Sequence, residues 1–199
     1  MAVLFEDNFN DGNMTGWTHD GDTLTNAGTW AVGGSSNTYA KSHAGNTAWT
    51  DYEYLCDVWA GDNDYQGILF RRRSSTLFYL LEQEFGNSTT LLRLMLNNSF
   101  DAGGTVLGSA NTGATTSTWY TLKVIVIGSS IKCYFSTQAN RNNMGNPIIT
   151  VTNTTHANGN IGLSCDSQSG SSRWDNVLVN SIDKALPLRQ RPMRHMIIR

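Results

Sequence analysis

The sequence predicts an all-β domain made of two layered antiparallel sheets, and two observations carry that prediction. Before residue 184, no stretch of ten or more residues shows the 3.6-residue apolar period of an amphipathic helix. Instead, short runs with alternating apolar and polar residues recur between clusters of Gly, Asn, Ser and Asp. Strands at a spacing of roughly 8–12 residues are typical of β-sandwiches. We therefore expect about ten to thirteen strands.

The strand-like runs follow one another almost without a break. They are Val3-Leu4-Phe5 and residues 50–60, 66–72, 77–85, 89–96, 117–138, 147–153, 160–166 and 172–182. The clearest is 117–138, which predicts a hairpin of two β-branched strands joined across Gly128-Ser129-Ser130. Within it, Trp119–Ile127 is apolar in both strand phases, which predicts a central strand covered on both faces. Two stacked sheets would provide that cover.

The charge is divided between a long acidic part and a short basic end. Residues 1–183 hold nine Lys and Arg against sixteen Asp and Glu, a balance of −7, and residues 184–199 hold five cations and no acid, which gives the net −2. Pro187 and Pro192 exclude a continuous helix in the last sixteen residues. The sequence therefore predicts one domain over residues 1–183 and a separate C-terminal arm over residues 184–199.

The arm mixes cationic and apolar side chains around its prolines. This pattern predicts a segment that lies in a groove of a neighbouring subunit, with these anchoring residues: Arg189, Arg191, Met193, Arg194 and Ile197. A disordered terminus is the alternative. Nucleic acid is disfavoured as the partner because the rest of the chain is acidic. The sequence has no apolar run of transmembrane length and no visible signal peptide.

Three cysteines lie far apart, each inside an apolar strand-like run: Cys56, Cys133 and Cys165. Their odd number and their strand phases argue against a disulfide framework. We expect buried thiols that pack as small hydrophobic side chains.

Six motifs, taken in their order, resemble a known fold family. They are FEDNFNDGNMTGWT, GTWAVGG, YQGILFRR, FYLLEQE, WYTLKVIVIGSSIKCYF and NGNIGLSCDSQSGSSRWDNVLV. This series resembles the concanavalin A-like (laminin G / laminarinase-like) jelly rolls over residues 3–180. The resemblance implies a jelly-roll β-sandwich of two antiparallel sheets in which the first and last strands lie together. It does not decide the function, because lectins, sugar-binding modules, glycosidases, lyases and viral surface proteins all use this fold.

The resemblance also implies a structural calcium ion near the junction of the first and last strands. Its ligands would be a backbone carbonyl of Glu6 or Asp7, a carbonyl of Gly33 or Gly34, and Asp175, which supply the oxygen atoms that Ca²⁺ prefers. In the alternative interpretation, Asp7, Asn8 and Asp11 form a turn in which their side chains accept nearby backbone N–H groups.

The sequence favours a protein that is not an enzyme. Laminarinase-like members carry Glu-x-Asp-x-x-Glu on one strand, and this chain lacks that motif. Its nearest approach is the Glu82 and Glu84 pair, which shares one strand face but has no third acid. His19, His43, His156 and His195 have no zinc-like spacing, and no phosphate loop or G-x-S-x-G elbow is present. A glycoside hydrolase with an unusual acid pair remains a third hypothesis.

A concave sheet that binds a glycan would need aromatic rings together with polar groups. The candidates are Trp59, Tyr65, Arg71, Tyr79, Glu82 and Trp119. The alternative is that Trp59 and Trp119 pack in the core and that Arg71 ends a strand.

Domains of this kind normally work outside cells, yet the first strand begins a few residues after Met1. A phage particle released by lysis would satisfy both facts. The leading hypothesis is therefore a non-catalytic virion structural protein, on the capsid or the tail, held by its arm in an assembly or homo-oligomer and able to adhere to a surface glycan. The alternative is a secreted, extracellular carbohydrate-binding module.

Overall fold

The computed structural model describes residues 1–21, 24–33, 40–63, 65–86, 90–97, 104–166 and 172–182. These residues form fifteen strands and one short 3-10 helix, Gln138–Asn140. The strands are β1 Val3–Asp7, β2 Thr18–Gly21, β3 Thr25–Asn26, β4 Ala31–Val32, β5 Ala40–Ala44, β6 Tyr52–Ala60, β7 Tyr65–Arg72, β8 Tyr79–Glu84, β9 Leu91–Leu96, β10 Thr105–Asn111, β11 Trp119–Ile127, β12 Ser130–Thr137, β13 Ile149–Thr152, β14 Asn160–Asp166 and β15 Ser172–Ser181.

The strands form two antiparallel sheets. Sheet I has the order β13-β12-β11-β6-β15-β4-β3, and β1 also pairs with β15. Sheet II has the order β10-β9-β8-β7-β14-β5-β2. The predicted contact of the first and last strands is confirmed, since Phe5 lies opposite Val179 in the β1–β15 ladder. The predicted hairpin is also confirmed, with Tyr120 opposite Thr137 and Ile127 opposite Ser130.

The main core lies between the two sheets, where alternate residues of each strand meet. On β6, for example, Tyr54, Cys56 and Val58 are fully buried. Two hydrogen bonds tie the layers together: the Trp174 indole donates to the Gly67 carbonyl at 3.2 Å, and the Tyr54 hydroxyl donates to the Gly162 carbonyl at 2.9 Å. Buried aromatic side chains with polar tips need such partners, so both rings can fill the core without an unsatisfied donor.

The three cysteines are buried thiols outside any disulfide, as predicted. Burial raises the pKa of the Cys56 and Cys133 thiols well above its ordinary value. The reactive form of cysteine is the thiolate, so these side chains act as packing groups.

The expectation that Trp119–Ile127 is covered on both faces is wrong. Its even-numbered residues face the core, whereas Lys123 on the other face is partly exposed and pairs with Glu53 at 2.7 Å. β-branched residues favour strands whether or not both faces are covered. An apolar run of such residues therefore does not show that both faces are buried. Strands β7 and β8 are buried on both faces: Ile68 and Leu81 join the main core, and Leu69 and Leu80 join a second cluster.

No helix in the described part of the chain is long and apolar enough to cross a membrane. The predicted arm residues Arg189, Arg191, Met193, Arg194 and Ile197 lie outside the described residues. The division into a domain of residues 1–183 and an arm of residues 184–199 therefore stays a prediction.

Candidate functional site

Two tryptophans lie side by side on the outer face of sheet I. Trp59 of β6 is directly opposite Trp119 of β11 in the ladder. Side chains alternate between the two faces of a strand, and Val58 and Ala60 are buried, so Trp59 points away from the core. On the other side of β6, Arg173 of β15 is opposite Trp59, and its guanidinium carbon lies 3.8 Å from the centre of the Trp59 ring.

A third tryptophan completes this group. The Arg173 guanidinium lies 4.9 Å from the Trp30 ring centre, and the Trp30 and Trp119 rings are 6.4 Å apart. Trp30 is held by a turn in which its carbonyl accepts the Ala27 N–H at 3.0 Å. We call Trp30, Trp59, Trp119 and Arg173 the tryptophan platform. All four are partly exposed, and the cation–π contacts order the rings at the surface.

A polar cleft of about 710 Å³ lies on the same side of sheet I. Asp57 lines it and lies two residues before Trp59, hence on the same strand face. At the opposite, outer wall, the end of β1 and the chain that follows it supply Glu6, Asp7, Asn8 and Asp11. The polar cleft therefore runs from the neighbourhood of the tryptophan platform to the edge of β1.

The Asp57 carboxylate fixes the inner wall of the polar cleft. Asp57 is fully buried and accepts hydrogen bonds from four side chains. The donors are Thr121 Oγ1 at 2.5 Å, Gln138 Nε2 at 2.8 Å, Arg141 Nη1 at 2.5 Å and Asn176 Nδ2 at 3.0 Å. These bonds hold the short helix and the following loop against sheet I. The inner wall is thus held in one fixed arrangement.

The residues predicted to bind calcium have other partners. The Asp7 carboxylate accepts the Phe9 N–H and the Trp17 indole N–H, each at 2.7 Å. The Asp175 carboxylate accepts the Asn176 N–H at 2.6 Å. Burial, with smaller contributions from the Asp57 and Asp7 charges, raises the pKa of Asp175 to about 6.

Glu6 lines the polar cleft, and Gly34 lies outside the described residues. The described residues contain no group of three or more His, Cys, Asp or Glu side chains placed to hold a metal. The predicted shell also takes backbone carbonyls, and Gly34 lies outside the described residues, so the calcium ion stays a prediction. What the described side chains form is the alternative, a run of turns in which Asp7, Asn8 and Asp11 each accept the N–H two residues later.

On sheet II, the predicted ligand residues Tyr65 and Glu82 belong to a compact polar cluster. Glu82 is fully buried and pairs with Arg93 at 2.7 Å, and the Arg93 guanidinium lies 4.3 Å from the Tyr65 ring centre. Burial raises the pKa of Tyr65, and a hydrogen bond with Glu84 adds to that effect. Glu82 and Glu84 share a face as predicted, but both are buried, and an acid pair must reach its substrate to hydrolyse it.

Arg71 and Tyr79 lie inside the protein. The Arg71 guanidinium donates to the Thr50 carbonyl at 2.8 Å and to the His156 carbonyl at 3.1 Å. The Tyr79 hydroxyl donates to Asn153 at 2.6 Å and accepts the His156 N–H at 3.1 Å. Both side chains are at most 1% exposed, so their contacts join strands and loops.

The six predicted sugar-binding residues therefore divide among three places. Trp59 and Trp119 share the outer face of sheet I, Tyr65 and Glu82 lie on sheet II, and Arg71 and Tyr79 are interior. Sequence reasoning missed Trp30, Asp57, Arg141 and Arg173. The sequence offered one signal for Arg173. It directly precedes Trp174, and if Trp174 is buried in the core, its strand neighbour must point to the outer face.

No protein-family model matches the sequence. No curated protein matches it significantly either. Solved structures do match in fold. The carbohydrate-binding module CBM66 of Bacillus subtilis aligns with TM-score 0.65 and 19% identity, over 85% of this chain and 98% of that one.

Three further structures are similar. The CBM2 module of the evolved Dit of Lactobacillus casei BL23 phage J-1 aligns with TM-score 0.60 and 12% identity, over 92% of this chain and 97% of that one. The exoplasmic/lumenal domain of VIP36 in its Ca²⁺/Man-bound form aligns with TM-score 0.62 and 11% identity, over 87% and 86%. A Bacillus licheniformis β-glucanase also shares the architecture. The chain has the concanavalin A-like jelly-roll fold.

Proposed function

We propose that this chain is a non-catalytic glycan-binding domain whose ligand lies on the tryptophan platform and extends towards the polar cleft. One observation carries the proposal. Trp59 and Trp119 lie side by side and partly exposed on one sheet face, with Arg173 stacked on the Trp59 ring at 3.8 Å. Flat apolar rings beside fixed polar groups are the combination that a sugar needs.

The chemistry of the two surfaces suits a neutral glycan. The apolar C–H face of a sugar ring can pack on an indole, and its hydroxyls can bond to amides, carboxylates and guanidinium groups. At the inner wall, Arg141 is already paired with Asp57. The outer wall adds the acidic residues Glu6, Asp7 and Asp11, so we expect a uronic acid or a sialic acid to be repelled.

The similar solved structures support this assignment at the level of the fold. CBM66 is described as a carbohydrate-binding module, and the VIP36 domain was solved in a Ca²⁺/Man-bound form. The β-glucanase shows that the same architecture also carries hydrolases. We assign no catalysis to this chain because Glu82 is buried in an ion pair and the Glu-x-Asp-x-x-Glu motif is missing.

A glycan array followed by calorimetry tests the proposal. Trp59→Ala and Trp119→Ala should each weaken binding of the best glycan by about 30-fold, because central aromatic anchors contribute about 2 kcal/mol or more. The matched control is Tyr65→Ala, which removes a predicted aromatic from sheet II. Circular dichroism verifies that each variant is folded. The proposal fails if no glycan binds, or if the Tyr65 variant loses binding while both tryptophan variants keep it.

A second proposal concerns the location of the domain. The similarity to a module of a phage Dit protein favours a place on a phage particle, on the capsid or the tail. We propose that residues 184–199 anchor the domain there and that the tryptophan platform faces outward. In the alternative, the chain is an extracellular carbohydrate-binding module.

Purified phage particles that lack the native chain can be complemented with full-length or truncated protein. Mass spectrometry should detect the full-length chain in the particles, and deletion of residues 184–199 should remove it. Equal incorporation of the truncated protein contradicts the anchoring role.

A further inference from the structure

The backbone of Arg173 is fixed from inside the protein. Its carbonyl accepts the side-chain amide of Gln66, which is 1% exposed, and the next residue, Trp174, donates its indole N–H to the Gly67 carbonyl at 3.2 Å. Within sheet I, Arg173 lies opposite Trp59 of β6 and is also paired with β4. A side chain that rises from a strand held in this way starts from a well-defined position.

The distance between Arg173 and Trp59 indicates how the two groups meet. The guanidinium carbon is 3.8 Å from the ring centre, which is the separation of two flat groups in van der Waals contact. If an N–H bond pointed at the ring instead, the carbon would lie farther away by about 1.3 Å, the length of a C–N bond with partial double-bond character. The guanidinium therefore lies flat on the indole, and its N–H bonds point outward around the edge of the stack.

The N–H donors of Arg173 have no protein partner in the part of the chain that the structure describes. The guanidinium contacts the Trp59 and Trp30 rings, at 3.8 Å and 4.9 Å, and makes no hydrogen bond or ion pair there. By contrast, Arg141 pairs with Asp57 at the inner wall of the polar cleft. A guanidinium carries five N–H donors in a rigid fork, so Arg173 presents ordered donors at the surface of the tryptophan platform.

Such a fork fits two acceptor oxygens on neighbouring atoms. A carboxylate or a phosphate offers this pair, but the acidic outer wall of the polar cleft disfavours an anionic ligand. In a neutral glycan, the matching group is a pair of free hydroxyls on adjacent ring carbons. A pyranose unit inside a 1,4-linked chain has such a pair, at carbons 2 and 3. A unit inside a 1,3-linked chain has none, because the linkage takes the hydroxyl that lies between the other two.

We infer that Arg173 determines the specificity of the tryptophan platform, which binds a neutral 1,4-linked glycan. The N–H donors of Arg173 bind the adjacent hydroxyls of one sugar unit, and Trp119 packs against an apolar face of the same glycan chain. Arg173 and Trp119 lie on the two strands that flank β6, so their backbones are about 10 Å apart and one glycan chain can contact both. This inference rests on the proposed glycan site and names the class of its ligand.

Calorimetry with six neutral hexasaccharides tests the inference. They are the 1,4-linked and the 1,3-linked hexamers of glucose, mannose and galactose, with one anomeric configuration within each pair. At least one 1,4-linked hexamer should bind at least about tenfold more tightly than its 1,3-linked partner. Arg173→Lys keeps the charge but loses the planar fork. It should weaken binding of that 1,4-linked hexamer at least about tenfold, because hydrogen bonds to a charged donor contribute that much, and bring the two affinities close together.

Two control variants separate recognition from folding. Trp119→Ala removes a ring that both hexamers contact, so it should weaken both by a similar factor and keep the ratio of their affinities. Arg73→Lys replaces an exposed arginine just after β7 and should change neither affinity. Circular dichroism verifies that each variant is folded.

Three results overturn the inference. They are an Arg173→Lys protein that keeps the preference for the 1,4-linked hexamer, a native chain that binds both linkages equally, and a native chain that binds none of the six at millimolar concentration. The proposed function stands in each of these cases as long as Trp59→Ala and Trp119→Ala weaken binding of a glycan found on the array. If no glycan binds at all, both proposals fail.

Discussion

Asp57→Asn is the substitution whose cost follows most directly from the structure. It keeps the shape of the side chain but removes the charge that four donors share. One carboxylate oxygen is replaced by an NH₂ group, which cannot accept hydrogen bonds from the donors around it. Arg141 also loses its ion-pair partner. Breaking one side of a buried, hydrogen-bonded ion pair costs about 3–5 kcal/mol. For a domain of this size, each kcal/mol lowers Tm by about 2–4 °C, so the expected decrease in Tm is roughly 6–20 °C.

Urea unfolding followed by tryptophan fluorescence measures this loss as a decrease in the free energy of unfolding. The matched control is Asp11→Asn, because Asp11 is exposed and its carboxylate accepts the Asn13 N–H at 3.1 Å. Its cost should stay below about 1 kcal/mol. If Asp57→Asn is as stable as the control, the hydrogen-bond network does not fix the wall of the polar cleft, and the reasoning is refuted.

Three further predictions concern other parts of the fold. Gly159 has a φ of +153°, and a Cβ there would meet the backbone of Arg71, so Gly159→Ala should lower the free energy of unfolding by more than about 3 kcal/mol. The control is Gly113→Ala, where the surrounding space is open and the expected loss is about 1 kcal/mol. Burial raises the pKa of Asp175 from its ordinary value of 3.8 to about 6, so its contribution to stability is complete below about pH 3.8 and is lost as the pH rises through 6. Asp175→Asn should therefore raise Tm at pH 8 and leave it unchanged at pH 4. The Asp7 carboxylate is engaged by Trp17, so EDTA should leave Tm unchanged, and a decrease would indicate a calcium ion held by the predicted backbone carbonyls.

The strands could be predicted because their signals are local. The hairpin of β11 and β12 is encoded by two β-branched runs and by Gly128, which adopts a φ of +55° in the turn between them. The contact of β1 with β15 followed from the resemblance, since no local pattern joins residues so far apart in sequence. Element type is a property of a short window, whereas pairing is a property of the whole chain.

The platform could be predicted only in part for the same reason. Trp59 and Trp119 were recognised as aromatic candidates, but their contact depends on the register between β6 and β11. Arg71 is a different case, because it was a candidate ligand residue and its side chain is buried. It is one of three consecutive arginines, and a positive φ of 44° turns its side chain inward, where carbonyl groups accept its N–H donors. Composition cannot show which member of an arginine run takes the conformation that is unusual for a residue with a side chain.

β6 connects the tryptophan platform with the polar cleft. Its inner wall is built on Asp57, two residues from Trp59, and its outer wall on Glu6 and Asp11 beside β1. β6, which carries Trp59 and Asp57, is paired along its length with β11 on one side and with β15 on the other. A rigid central strand suits a site that must recognise a ligand. The acidic outer wall then keeps anionic sugars away from the tryptophan platform.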